Sequence, residues 1–193
     1  MPIIKLTPPN LDRQLIEIAE VILRGGVVLM PTDTIYGLSA LATDEAAIGR
    51  ILSLKGRQTI KPFICLVDSL EMAEDYAIIS AKCRQYLLAS WPGPVSVILP
   101  SKFKFPGVVQ ANLSTIALRW PKLLWLNQLT YLVGQPIIST SANLAGEQPI
   151  VDITMVSQYF MPDSLDLIVD GGRLKNSPSS LIDFTGSEPR VIR

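Results

Sequence analysis

Val27-Val28-Leu29-Met30-Pro31-Thr32-Asp33-Thr34-Ile35-Tyr36-Gly37-Leu38 is the stretch whose reading decides the fold of this chain. Val27 to Met30 is an aliphatic run too short for most helices, and Gly25-Gly26 precedes it. It reads as a buried strand entered from a helix end. Pro31 has no N–H to give to a ladder and suits a strand end or edge. Beyond it, an extended chain would put Thr32 and Thr34 on one face and Asp33 on the other. Tyr36 adds an amphipathic ring, and Gly37 permits a close approach or a positive φ. Polar groups gathered at a strand end are a common way to build a ligand site in an open α/β sheet. The same residues also suit a turn in which Thr and Asp satisfy nearby backbone groups, and the local pattern leaves both readings open.

Before this stretch, Asn10 stands as the N-cap of a helix with Leu11, Leu15, Ile18 and Ile22 at helical spacing, ended by Gly25-Gly26. After it, Asp44 can cap a second helix with Ile48, Ile51 and Leu52 on its apolar face, terminated at Lys55-Gly56-Arg57. Strands are expected at Phe63–Val67, Val95–Leu99, Thr115–Arg119, Pro136–Thr140, Leu165–Val169, Ser180–Phe184 and Arg190–Ile192. Helices are expected at Leu70–Tyr76, Ala81–Ser90, Leu123–Val133 and from Asp152 to Phe160. Helices and strands alternate early, but the last strands lie close together in sequence. That order predicts an α+β fold: one domain over 1–193, with a twisted mixed parallel and antiparallel sheet flanked by helices.

Composition narrows the function. The 17 basic and 17 acidic residues cancel, so no global field draws in nucleic acid or an anionic membrane, and any RNA contact must come from a weak local patch. Absence of histidine excludes Ser-His-Asp hydrolysis, Cys-His catalysis and His-ligated metals. Cys65 and Cys83 form neither a disulfide scaffold nor a metal motif and read as free core thiols of a reducing cytosol. Lys5, Pro8, Pro9 and Asn10 interrupt any signal peptide, and no apolar run reaches membrane-spanning length. A cytoplasmic protein is expected.

Chemistry must then rest on Lys, Arg, Ser, Thr, Asn and Asp. Lys55 and Arg57 flank a helix-ending glycine, and Lys61 follows four residues on. Two cations at a helix C-terminus offset its dipole, but three within seven residues also suit a polyphosphate clamp. Lys55 and Arg57 are expected to be solvated, so that replacing either with alanine impairs turnover with little loss of fold. Ser139, Ser141 and Asn143 alternate after an apolar strand and, in an extended chain, face one way. They can orient a small polar substrate or cap the next element. Arg119 ends a strand and is either an edge charge or a bidentate carboxylate ligand.

Taken in order, Pro31-Thr32-Asp33-Thr34-Ile35-Tyr36-Gly37-Leu38, Lys55-Gly56-Arg57, Trp91-Pro92-Gly93-Pro94, Arg119-Trp120-Pro121, Ser141-Ala142-Asn143, Asp170-Gly171-Gly172 and Ser179-Ser180-Leu181-Ile182-Asp183 resemble the YrdC-like family of threonylcarbamoyl-AMP synthases. The resemblance runs from about Leu15 to Arg193 and is to the short, single-domain bacterial type. It implies that L-threonine, bicarbonate or CO2, and ATP give threonylcarbamoyl-adenylate and pyrophosphate. Mg2+ would arrive with the nucleotide, and partner proteins would use the product to modify a tRNA adenosine. Lys55, Arg57, Ser141 and Asn143 match the family's Lys-x-Arg and Ser-x-Asn signature, which a sister branch lacks in part. By the same resemblance Arg57, Lys61, Thr115, Ser141 and Arg193 face ATP, and Thr34, Arg119, Ser139 and Ser179 face threonine. Their strand ends are expected to converge on one crevice. Lys61 stands where some relatives have asparagine, Leu66 where some have histidine, and Ser180 where threonine is usual. The alternative from another class is a non-catalytic RNA-binding or ribosome-associated module, with Lys102-Phe103-Lys104-Phe105 as its basic-aromatic strip.

Overall fold

The computed structural model describes residues 2–56, 62–111, 113–161 and 163–193. Among them the strands are β1 (Ile3–Lys5), β2 (Val28–Pro31), β3 (Tyr36–Leu41), β4 (Ile64–Leu66), β5 (Val95–Pro100), β6 (Thr115–Arg119), β7 (Ile137–Ser141), β8 (Leu167–Asp170), β9 (Ser180–Asp183) and β10 (Arg190–Val191). The helices are α1 (Leu11–Leu23), α2 (Glu45–Lys55), α3 (Leu70–Tyr76), α4 (Ala81–Ser90), α5 (Gly107–Gln110), α6 (Leu124–Val133) and α7 (Val156–Tyr159). One sheet holds every strand in the order β1-β8-β2-β3-β7-β4-β6-β5-β9-β10. Its pairs are parallel at β1–β8, β2–β8, β4–β6 and β5–β9, and antiparallel elsewhere. This is the mixed α+β sheet that the element order implies.

The opening stretch is a hairpin. Pro31 pairs with Tyr36, so Thr32 to Ile35 turn back at once, closed by a hydrogen bond from the Thr32 N–H to the Ile35 carbonyl (3.1 Å). The extended run expected past Pro31 is therefore absent. The segment after the turn, Tyr-Gly-Leu-Ser-Ala-Leu, is a full strand that the sequence pattern missed. Glycine, serine and alanine are poor strand formers, but β3 lies between β2 and β7 and takes its ladder from both. The short β1 and α5 also carry too little pattern to be read. Asn10 stands at the head of α1, but its side chain does not cap the helix; its amide goes to Thr7 Oγ1 instead. Asp44 does cap α2, accepting from the Ala47 N–H at 2.9 Å.

Strand alternation sorts the core into two layers. On one face Leu29, Leu38, Cys65, Val97, Leu118 and Ile138 pack with α2, α3 and α4 in a continuous apolar cluster. On the other, Val28, Met30, Leu66, Ile137 and Val169 meet Leu15, Ile18 and Ile22 of α1 and Leu126, Leu129 and Val133 of α6. That helix pair covers only part of its face, and the rest is the floor of a pocket. No described helix is long and apolar enough to cross a membrane.

Both thiols are free and buried in the first cluster. Burial pushes the Cys83 thiol up to about 11 and the Cys65 thiol higher still. Raised folded values mean that the unfolded chain loses its thiol protons first as pH rises. Stability is thus expected to be unaffected by these thiols below pH 9.0 and to fall between 9.0 and about 11, as followed by denaturant melts. A thiol reagent at pH 8 is expected to label neither cysteine until the protein unfolds; labelling of the native protein would refute this burial.

Candidate active site

The pocket on the open part of the sheet holds about 420 Å³. Its floor is built by the cross-strand register. Ser139 lies opposite Ile64, Ile64 opposite Ala117, and Ala117 opposite Ile98, so one row of side chains crosses three ladders on one face. Thr34, Arg119, Ser139, Ser141, Ser179 and Arg193 all line the cavity. Thr115 shares the β6 face with Ala117 and Arg119 by alternation, but it sits at the strand start and does not line the cavity. Ser139 lies within β7 and Thr34 in the hairpin turn. The crevice of parallel strand ends expected from the sequence is replaced by the face of a sheet that is locally antiparallel through β3, β7 and β4.

Arg119 is almost fully buried. It donates from Nη1 to Thr34 Oγ1 at 2.9 Å and from Nη2 to Asp33 Oδ1. Asp33 also accepts from the Lys122 N–H through Oδ2 (2.9 Å), and its carbonyl accepts from Asn176 Nδ2 (3.0 Å). Arg119 Nε is buried without a partner, an unsatisfied donor in the pocket wall. Burial pulls the guanidinium below its ordinary pKa, Asp33 pulls it back up, and the nearby Arg193 charge adds to the lowering. Arginine stays charged throughout. Neither the Asp33–Arg119 pair nor the Asn176 contact was legible in the sequence, where strand alternation sets Asp33 on the face opposite Thr34.

The hairpin turn satisfies itself as well as serving the pocket. Thr32 Oγ1 accepts from the Thr34 and Ile35 N–H groups, donates to the Ile35 carbonyl at 2.7 Å and pairs with Thr34 Oγ1 at 2.9 Å. Tyr36 donates to the Gly172 carbonyl (2.8 Å) and accepts from the Gly171 N–H (2.9 Å), tying the hairpin to the segment that leads into Ser179. Burial raises the Tyr36 phenol above its ordinary pKa, which keeps it a neutral donor there. Ser179 is buried against Ser96, Oγ to Oγ at 2.9 Å, and its carbonyl accepts from Arg193 Nε at 3.3 Å.

Lys55 overturns the expectation of a solvated helix end. It is 3% exposed. Its ammonium donates to the carbonyls of Ser141 and Asn143 and to Asn143 Oδ1 (3.1 and 2.9 Å for the two Asn143 contacts). Ser141 Oγ donates to the same Oδ1 at 2.6 Å, while the Lys55 carbonyl accepts from the Ala145 N–H at 2.9 Å. Gly56, at φ 59, closes α2 in the left-handed conformation that glycine favours, and so ends the helix where its last side chain meets the Ser-x-Asn turn. All three of these acceptors belong to the Ser-x-Asn turn, so Lys55 braces it. Arg57 and Lys61 lie outside the described residues. Leu66 lines the pocket, whereas Ser180 does not and lies near the Pro94 carbonyl (3.4 Å).

In the basic-aromatic strip only Phe105 belongs to the core, while Lys102, Phe103 and Lys104 are exposed. Phe105 is buried, Phe103 stacks edge-on to Tyr76 and Phe105, and Lys102 Nζ donates to the Glu74 carbonyl. One exposed ring already packed on two others is a poor platform for stacking single strands. A larger groove of about 600 Å³ beside α1 and α6 gathers none of the residues expected to act together.

Known proteins of similar sequence and fold place the chain in a family. A profile of the Sua5/YciO/YrdC family, described as "Telomere recombination", matches residues 20–193. The threonylcarbamoyl-AMP synthase of Pyrococcus abyssi (strain GE5 / Orsay) is 34% identical over 171 residues, 88% of this chain and 50% of that protein. That of Nitrosococcus oceani is 35% identical over 167 residues, 86% of this chain and 90% of that protein. The chain thus spans about half the length of the first relative and nine-tenths of the second. The crystal structure of P. abyssi Sua5 complexed with L-threonine matches all of this chain and 56% of its own, with a TM-score of 0.90 at 31% identity. On the profile, the relatives and the shared fold, the chain belongs to the Sua5/YciO/YrdC family.

Proposed function

We propose that this protein is a threonylcarbamoyl-AMP synthase, joining L-threonine, bicarbonate or CO2, and ATP and releasing pyrophosphate. The neutral amine of threonine adds to CO2, forming an N–C bond and giving up a proton. A carbamate oxygen then attacks the α-phosphorus of ATP, and the bond to the pyrophosphate oxygen breaks. No enzyme nucleophile is required. Phosphoryl transfer of this kind depends on positioning and charge neutralisation, which suits a chain without histidine.

The observation that carries the reading is the convergence of Thr34, Arg119, Ser139, Ser141, Ser179 and Arg193 on one pocket in a chain whose relatives bear this name. Arg119 would hold the amino acid's α-carboxylate through its guanidinium, with Thr34 and Ser179 beside it. Ser141, held by Asn143 and Lys55, and Arg193 would face the nucleotide, together with Arg57, Lys61 and Thr115. The nucleotide enters as its Mg2+ complex, the ion being part of the substrate. The adenylate product passes to tRNA-modifying partner proteins in the cytosol. Purified protein is expected to release pyrophosphate from ATP only when threonine and bicarbonate are both present. Turnover that ignores threonine would sink the assignment.

A further inference from the structure

Asp33 does not line the pocket, yet separate parts of the pocket wall meet on this one residue. Its Oδ1 pairs with Arg119 Nη2 at the end of β6, and its Oδ2 accepts from the Lys122 N–H at 2.9 Å, just beyond that strand. Its carbonyl accepts from Asn176 Nδ2 at 3.0 Å, in the strap that runs from the Tyr36-bound Gly171-Gly172 turn to Ser179. The next residue, Thr34, takes the other arm of the same guanidinium through Oγ1 at 2.9 Å. The hairpin turn, the end of β6 and the strap before Ser179 are therefore fixed to one another at Asp33.

Only a carboxylate serves both oxygen contacts. The two partners of the side chain are a guanidinium and a backbone N–H, which donate and cannot accept. Asparagine would keep one acceptor and set its NH2 group against the other donor. Charge points the same way. Burial and the Arg193 charge both work against the Arg119 guanidinium, and Asp33 offsets them. No carboxylate lies among the described residues that line the cavity, so Asp33 supplies this counter-charge from outside it.

We infer that Asp33 is a positioning residue of the amino-acid site. Without touching the substrate, it aims the Arg119 fork at the α-carboxylate and, through Asn176, holds the strap that carries Ser179 against the same turn. This deepens the function proposed above and rests on it. A guanidinium free to turn loses the fixed geometry that makes a two-bonded contact with a carboxylate strong. Amino-acid binding should weaken first, because the Lys55–Asn143–Ser141 contacts proposed to serve the nucleotide do not pass through Asp33.

The test measures the threonine and ATP concentrations for half-maximal pyrophosphate release, together with kcat and the melting temperature. Asp33→Asn is expected to raise the threonine requirement about tenfold or more and to change the ATP requirement by less than about threefold. In an Arg119→Lys background the same change should add less than about threefold to the threonine requirement, because the fork it aims is already gone. Asn176→Ala, at an exposed contact, is expected to raise the threonine requirement about two- to tenfold with little change in melting temperature, and it decides the matter if Asp33→Asn does not fold. The control is Asp166→Asn. Asp166 also accepts from a backbone N–H (Val27, 2.6 Å) and pairs with an arginine (Arg50, 2.8 Å), but none of the three lines the cavity. That variant should lower the melting temperature and leave both substrate requirements at wild-type values. A carboxylate that only supports the fold would behave as this control does. A wild-type threonine requirement in Asp33→Asn or in Asn176→Ala, equal changes in the threonine and ATP requirements, or effects that multiply in full in the double variant would each overturn the inference. Wild-type protein without threonine-dependent release would instead remove the proposed function on which the inference rests.

Discussion

Arg119→Lys is expected to raise the threonine concentration for half-maximal pyrophosphate release about 10- to 100-fold, the worth of a charge-assisted hydrogen bond. The ATP requirement is expected to change by less than about threefold, within the weak effect of an uncontacted neighbour. The guanidinium does two things at once: it bonds Thr34 and pairs with Asp33, while its Nε–H is buried without a partner beside the pocket. Lysine carries a point charge on a flexible stem and cannot reproduce a planar fork. In that variant the ammonium would stay with Asp33, its nearest carboxylate, and the pocket would lose the guanidinium fork. Part of the effect will appear as stability, because the pair is buried (side-chain exposures of 5% and 10%). Removing one partner of such a pair commonly costs about 3–5 kcal/mol. Arg119→Lys keeps the charge and should lose less than Arg119→Ala, so kinetics are best read in the lysine variant. Equal changes in the threonine and ATP requirements would mean that Arg119 organises the fold of the pocket and does not hold the amino acid.

Lys55→Met is expected to be strongly destabilising for so small a change in shape. The substitution keeps the length of the side chain and its apolar packing and removes the ammonium. The Ser141 and Asn143 carbonyls and Asn143 Oδ1 would then lose the donor they share. A hydrogen bond to a charged group is worth about 1.5–3 kcal/mol, and a buried acceptor left alone costs a further part of that. A total of about 2–4 kcal/mol corresponds to a fall in melting temperature of roughly 5–15 °C for a chain of this size. Turnover should fall as well, since Ser141 Oγ is oriented by the same Asn143 Oδ1. The test is a thermal melt paired with single-substrate kinetics at saturating ATP. A variant that melts like wild type would show that the Ser-x-Asn turn stands without Lys55 and that the inward ammonium is incidental.

What the sequence alone determined was local. Helices α2, α3, α4 and α6 and strands β4, β5, β6, β7, β8 and β9 were legible because each carries its own apolar period and its own stop signals. The residues that line the pocket were also legible as polar groups flanking apolar strands, and the family resemblance sorted them by ligand. Tertiary structure decided everything that depends on which segments lie side by side. β3 is a strand because β2 and β7 pair with it, not because Gly37, Ser39 and Ala40 favour one. Lys55 turns inward because α2 ends beside the turn after β7, so its ammonium finds three carbonyl-type acceptors in place of water. Asp33 meets Arg119 because the hairpin turn and the end of β6 border the same cavity, 86 residues apart in the chain. At Gly37 the β3–β7 register brings Ser139 Oγ into the missing side-chain position. Local propensity acts over a few residues, whereas register, burial and pairing are set by the whole sheet, and the chemistry of this pocket lies in those pairings.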